Sequence, residues 1–179
     1  MDFQSTNILG AYLVHLNKLE DERGFFARVF CVDEFKQAGI NSDVVQANLS
    51  QNIHKGTVRG MHYQIAPALE TKLVRCIKGS IQDTIVDMRP DSATYRQHVS
   101  VTLSADNGHA LFVPTMCAHG FQTLEDNTDV LYMVSGAYTP ACERGLRHDD
   151  PALNINWPLP ANHISEKDAS WSLLENVNT

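Results

Sequence analysis

The sequence predicts a mainly β fold, a sandwich or barrel of short strands. Three observations predict it. Short runs rich in β-branched and aromatic residues recur from residue 72 to residue 138, turn-forming clusters such as ADNGH separate them at near-regular spacing, and helical periodicity is confined to a few residues.

Taken in order, the first third reads as irregular. Within it GFFARVF (24–30) looks like a strand after the turn-like DERG, and VDEFKQAG from Val32 suits a short helix with an acidic start and a closing Gly39. RGMHYQ (59–64) reads as a short strand. KLVRCIKGSIQDTIVDMRP, from Lys72, is two β-branched runs around Lys78-Gly79, a hairpin-like pattern. In its second run Ile81, Asp83, Ile85 and Asp87 share one face by period two. RQHVSVTLS, ALFVP and GFQTLEDNTDVLYMVSGAY continue the series. Pro140, Pro151, Pro158 and Pro160 then punctuate the last forty residues, which predicts an extended tail wrapped on the body, with a further helix near its end.

The chain has 179 residues, the size of one domain, so residues 1–179 are expected to form a single unit with extended N- and C-terminal segments. Its net charge of −7 is spread along the sequence, which argues against a nucleic-acid binder. A few placed arginines can still make a local pocket for an anion. Cys31, Cys76, Cys117 and Cys142 are widely separated, and no CxxC occurs. With no signal-peptide pattern and no membrane-length apolar run, the expectation is a cytoplasmic protein with reduced thiols.

Eight histidines are present. His62, between Met61 and Tyr63, admits three readings. It is a half-buried histidine bonded to backbone, or a metal ligand, or a general base. A metal site of the β-barrel type asks for H-x-H on this strand, and the partner position is Gln64. A general base asks for an orienting carboxylate on the other ring nitrogen, which Asp168 supplies if the tail folds back. His119 in CAHGFQ reads equally as tight packing at a strand entrance. Tyr132 on its own reads as a cross-strand aromatic, Lys72 as a solvated strand edge, and Arg23 and Arg59 as surface charges that together can clamp a diphosphate. In an uninterrupted strand Arg59 and His62 face opposite sides. Both reach one cavity only if a bulge or bend intervenes, which Gly60 permits.

The ordered set DERGFF, RGMHYQ, ETKLVRCIKGSIQDTIVDMRPDS, AHGFQTLED, LYMVSGAYTP, ERGLRHDDPALNINWP and SEKD resembles the dTDP-4-dehydrorhamnose 3,5-epimerase family from about residue 21 to about residue 168. The resemblance implies a cupin-like jelly-roll (double-stranded β-helix), a homodimer, no metal and no organic cofactor, and a nucleotide-linked 4-keto-6-deoxy sugar as substrate. It implies His62 as the base with Asp168 orienting it, Tyr132 as the acid, and Lys72 near the sugar ketone. Arg23, Gln46, Ala47, Asn48, Arg59, His119, Glu143 and Lys167 match substrate-contacting positions, Tyr138 matches an aromatic near the nucleotide base, and Asp83 matches a carboxylate behind His119. Those residue types suit inversion next to a ketone. A base removes a carbon-bound proton, a cation holds the charge growing on oxygen, and an acid returns a proton on the opposite face. Rival readings are a related 3- or 5-epimerase or keto-isomerase on another nucleotide sugar, a non-catalytic sugar-binding jelly-roll and a metal-dependent dioxygenase. The chain departs from the family pattern at Arg28, Met133, His148 and the PTMC that precedes AHGF.

Overall fold

A computed structural model describes residues 1–41 and 43–174. Its strands are β1 (Asp2–Ser5), β2 (Tyr12–His15), β3 (Leu19–Asp21), β4 (Gly24–Phe26), β5 (Gln46–Asn52), β6 (Val58–Gln64), β7 (Lys72–Lys78), β8 (Ser80–Asp87), β9 (His98–Ser104), β10 (Ala110–Val113), β11 (Cys117–Thr123), β12 (Thr128–Val134) and β13 (Glu143–Gly145). The helices are α1 (Val32–Gln37) and α2 (Glu166–Ala169), with one 3-10 turn at Pro140–Cys142.

The strands form a six-stranded sheet in the order β1-β2-β10-β7-β12-β5 and a five-stranded sheet in the order β13-β6-β11-β8-β9, while β3 and β4 pair by themselves. Alternation along each strand sends one row of side chains into the space between the two large sheets. Val74, Cys76, Leu111, Val113 and Val130 come from the first sheet and meet Ile81, Ile85, Leu103, Cys117 and Phe121 from the second. The outer face of the five-stranded sheet is covered by Leu146, Leu153, Ile155 and Trp157. This is the wrapped tail that the prolines predict. The outer face of the six-stranded sheet is covered by Phe35 of α1, which packs with Val14, Leu73, Ala110 and Phe112.

Three expectations are corrected. The first third is far from irregular, since five strands and α1 lie in the first 52 residues. GFFARVF is extended only over β4, and the short β3–β4 ribbon carries exposed Leu19, Phe25 and Phe26. The runs around Lys78-Gly79 do not pair with each other. β7 pairs with β10 and β12, and β8 pairs with β11 and β9, so the turn is a corner between sheets. Gly79, at φ +75, lies so close to Thr128 that a Cβ there would overlap the threonine hydroxyl. A corner and a hairpin ask for the same turn residues, so the local pattern does not separate them.

Candidate active site

The inward rows end before the sandwich does, and the open end is a cavity. In β7 the inward row is Lys72, Val74 and Cys76. In β12, where Tyr132 lies opposite Val74 and Val134 opposite Lys72, it is Val130, Tyr132 and Val134. The last polar members of these rows, Lys72 and Tyr132, therefore stand on one wall. Facing them across the sandwich are His62 of β6 and His119 of β11. A cavity of about 610 Å³ is lined by all four, with Arg59 and Asp168. A second cavity of about 350 Å³ shares His62, Lys72 and Tyr132 and continues to Gln46, Asn48, Tyr138 and Glu143. Volumes of this size suit a small-molecule ligand.

The parity conflict between Arg59 and His62 is resolved by a bulge at Gly60. Arg59 lies opposite Phe121 and His62 opposite His119, so three steps on β6 match two on β11. Gly60 has φ +110, and a Cβ there would lie 2.6 Å from both Gly120 Cα and the His119 carbonyl oxygen. The sequence therefore needs glycine at both Gly60 and Gly120 for the strands to approach as they do. Arg59 is held at the rim, its Nε donating to Asn52 Oδ1 at 2.6 Å.

Asp168 arrives from α2. Ser165 caps this single turn, its hydroxyl accepting from the Asp168 amide at 3.1 Å. One carboxylate oxygen of Asp168 accepts from His62 Nε2 at 2.6 Å and the other from the Gly60 amide at 3.2 Å. Burial pushes the Asp168 carboxyl upward, but the hydrogen bond and charge of His62 and the Gly60 and Ser165 contacts outweigh it and hold the group below the ordinary carboxylate range. An ionised carboxylate only accepts, so the proton of His62 sits on Nε2 and Nδ1 is the basic nitrogen. His119 Nε2 donates likewise to Asp83 Oδ1 at 2.7 Å, with Asp83 fully buried.

On the opposite wall Lys72 Nζ donates to the His62 carbonyl oxygen at 3.3 Å and faces Glu70 Oε1 at 3.2 Å. The Tyr132 phenol is pushed up by burial, with Arg59 opposing and Glu70 adding to the shift, so it stays protonated near neutral pH. At the far end of the smaller cavity Tyr138 Oη donates to Glu143 Oε2 at 2.9 Å and Lys167 Nζ donates to the same carboxylate at 2.6 Å.

Three residues expected at the site, Arg23, Ala47 and Lys167, line neither cavity. Arg23 is on the turn between β3 and β4, largely exposed and paired with Asp21, and it lines neither cavity. Ala47 lies between Gln46 and Asn48 opposite Met133, so its side chain is on the outer face of β5. Lys167 reaches the cavity only through Glu143. Arg28, Met133, Cys117 and His148, where the chain departs from the family pattern, line neither cavity. Arg28 pairs with Glu34 of α1 at 2.7 Å, Met133 packs with the α1 cluster, and the His148 carbonyl oxygen accepts from Trp157 Nε1. Sequence reasoning missed Asn52 as the partner of Arg59, Glu70 as the partner of Lys72, and the wall of Asn162, His163 and Ile164. No periodicity marks these positions, because all but Asn52 lie outside the regular strands. Among the described residues no three His, Cys, Asp or Glu side chains converge as a metal-holding group.

The model of the dTDP-4-dehydrorhamnose 3,5-epimerase family matches residues 5–176. A protein of that name from Sinorhizobium fredii is 43% identical over 171 residues, which is 95% of this chain and 88% of the relative. The crystal structure of a dTDP-4-dehydrorhamnose 3,5-epimerase from Bacillus anthracis, with TDP and PPi bound, is similar with a TM-score of 0.94 and 38% identity, covering 97% of this chain and 99% of that one. A Legionella pneumophila epimerase in complex with dTDP-4-keto-L-rhamnose is similar with a TM-score of 0.92 and 35% identity, covering 99% of this chain and 94% of that one. With the predicted dyad, lysine and tyrosine gathered at one end of a two-sheet fold, and with matches that span nearly the whole sequence, the chain belongs to the dTDP-4-dehydrorhamnose 3,5-epimerase family.

Proposed function

We propose that this protein inverts C3 and C5 of a dTDP-linked 4-keto-6-deoxy sugar, turning dTDP-4-dehydro-6-deoxyglucose into dTDP-4-dehydrorhamnose. The observation that carries the reading is the placement of His62 and Tyr132 on opposing sheets across one cavity, with Lys72 beside the tyrosine.

In this reading Nδ1 of His62 takes the proton from the carbon next to the ketone, and the imidazolium so formed is stabilised by Asp168. The electrons of the broken C–H bond move onto the ketone oxygen, where the Lys72 ammonium holds the charge. The Tyr132 phenol then protonates the carbon from the other face, and solvent exchange resets both groups. Inversion follows because donor and acceptor come from different sheets. Each positioned group contributes on the order of 10²–10⁴ in rate. Gln46, Asn48, Tyr138, Glu143 and Lys167 hold the nucleotide end in the smaller cavity, while Arg59 and His119 contact diphosphate and sugar. Remote contacts of this kind supply binding and orientation.

A homodimer belongs to the same proposal. Arg23 lies on a ribbon with exposed Leu19, Phe25 and Phe26. Packing of that ribbon on a second copy buries these side chains and brings Arg23 to the neighbouring cavity. Light scattering reads the mass directly. A cytoplasmic setting is also proposed, supported by four unpaired cysteine thiols. The test of the reaction is proton NMR of the keto-sugar in heavy water. Loss of signal at both C3 and C5 supports the full reaction, loss at one carbon makes the enzyme a mono-epimerase, and no loss leaves a sugar-binding protein.

A further inference from the structure

Resting on the epimerase reading, we propose that Glu70 is a positioning residue for the reaction: its carboxylate fixes the direction of the Lys72 ammonium and keeps a negative charge beside Tyr132. Nothing in the chemistry of proton transfer asks for a second carboxylate on this wall. Glu70 is nevertheless withdrawn from solvent, with its side chain 10% exposed against 12% for Lys72, and its Oε1 faces Lys72 Nζ at 3.2 Å. A solvent-side ion pair would contribute little, whereas a sequestered carboxylate is costly unless it is paired.

The backbone around Glu70 is held firmly. The Thr71 amide donates to Ser135 Oγ at 2.8 Å, and the Ser135 amide donates to the Thr71 carbonyl oxygen at 3.1 Å. Gly136 gives Glu70 room, since a Cβ there would lie 3.2 Å from Glu70 Cβ.

Counting donors shows what this arrangement does. An ammonium has three N–H groups and no acceptor. The His62 carbonyl oxygen accepts one N–H of Lys72 Nζ, and the Glu70 carboxylate, with Oε1 3.2 Å away, pairs with the ammonium from another side, which leaves N–H groups for the cavity. A lysine side chain held at two points loses most of its rotamer freedom before substrate arrives, which is the condition for charge stabilisation without reorganisation. The carbonyl held by Lys72 belongs to His62 itself, so the base and the cation share one anchor.

The same carboxylate lines the smaller cavity with Tyr132. Arg59 and Lys72 supply positive charge in the two cavities that the phenol faces, Asp168, Glu70 and Glu143 negative charge, and His62, His119, His163, Tyr63 and Tyr138 are the other titratable groups on their walls. Glu70 adds to the effect of burial in keeping the phenol protonated, and Arg59 opposes it.

The test uses Glu70→Gln, which keeps the shape and an acceptor oxygen, and Glu70→Ala, which keeps neither. With dTDP-4-dehydro-6-deoxyglucose, Glu70→Ala is expected to lose about tenfold or more in kcat while KM changes less than about threefold, and Glu70→Gln to lose less. In both, the alkaline limb of the pH–rate profile moves to lower pH. A parallel measurement needs no substrate. The titration of the Tyr132 phenol, followed by carbon-13 NMR of tyrosine-labelled protein and assigned with Tyr132→Phe, moves to lower pH in Glu70→Gln. A phenol that titrates where the native one does, or a Glu70→Ala variant with native kcat, overturns the proposal. If the phenol moves but the native protein exchanges no ring proton, the placement of Glu70 stands and the epimerase reading fails.

Discussion

Replacing Gly60 with alanine tests whether the bulge, and not the strand as a whole, sets the site. The added methyl would lie 2.6 Å from Gly120 Cα and from the His119 carbonyl oxygen, about 0.8 Å short of ordinary contact. Both obstacles are backbone, so β6 and β11 must move apart. Overpacking of this kind costs about 1–3 kcal/mol. The left-handed conformation at φ +110 costs an alanine roughly 1–2 kcal/mol more. For a chain of this size a loss of about 2–5 kcal/mol lowers the melting temperature by roughly 4–20 °C. The same displacement moves Arg59 and His62 relative to His119, and a misplacement near an ångström costs about 10²-fold in rate. Gly39→Ala is the control. Gly39 also has positive φ (+76) but no atom lies within 4 Å of its added Cβ, and it follows α1 on the far side of the six-stranded sheet. Thermal unfolding by circular dichroism and deuterium exchange into the keto-sugar read the two effects. A Gly60→Ala variant no less stable than Gly39→Ala, and with native exchange, refutes the reasoning.

The remaining predictions concern the groups around this bulge. Asp168→Asn leaves the shape of the dyad but removes the charge that stabilises an imidazolium, so exchange at both carbons is expected to fall by about 10²-fold or more while dTDP binding, read by calorimetry, persists. Because the folded carboxyl of Asp168 titrates below its unfolded value, it contributes stability above about pH 4 that is lost as pH falls through the lower folded value. Urea titrations across that range are expected to show a shallower acid loss in Asp168→Asn. Gly145→Ala drives a methyl into the Trp171 indole, just beyond α2, and is expected to lower kcat by loosening the segment that carries Asp168. Limited proteolysis of the tail should rise with it. Glu143→Gln weakens the contacts of Tyr138 and Lys167 and is expected to raise KM about tenfold with kcat nearly unchanged, as checked by steady-state kinetics.

The sequence foretells the strands whose side chains alternate or are β-branched, because those patterns come from burial of a strand on one or both faces. β7, β8, β9 and β12 are of this kind, and α1 is announced by its acidic start and by Gly39. β5 is not announced. QANLSQN is polar and largely exposed, and it is a strand because β12 offers it seven paired positions along an edge. β1 and β2 depend in the same way on pairing with β10 and each other. The corner at Gly79 reads as a hairpin because turn chemistry is local, whereas the choice of partner is made by the whole sandwich. At the site, the conflict of parity between Arg59 and His62 points to Gly60, and the bulge is there. The Asp168 contact spans 106 residues, and Glu70, two residues before Lys72, lies just ahead of β7 in a segment without regular structure. Neither leaves a periodic trace, so the family's ordered motifs disclose the first and only coordinates disclose the second.

The account rests on a base and an acid that act from opposite faces of one bound sugar. Proton NMR of the keto-sugar in heavy water, with His62→Ala and Tyr132→Phe compared against the native protein, tests this most directly. The account predicts no deuterium at C3 or C5 with His62→Ala, although dTDP still binds, and deuterium uptake that outlasts inversion with Tyr132→Phe. Continued exchange without His62, or equal loss of exchange and inversion without the phenol, would contradict it.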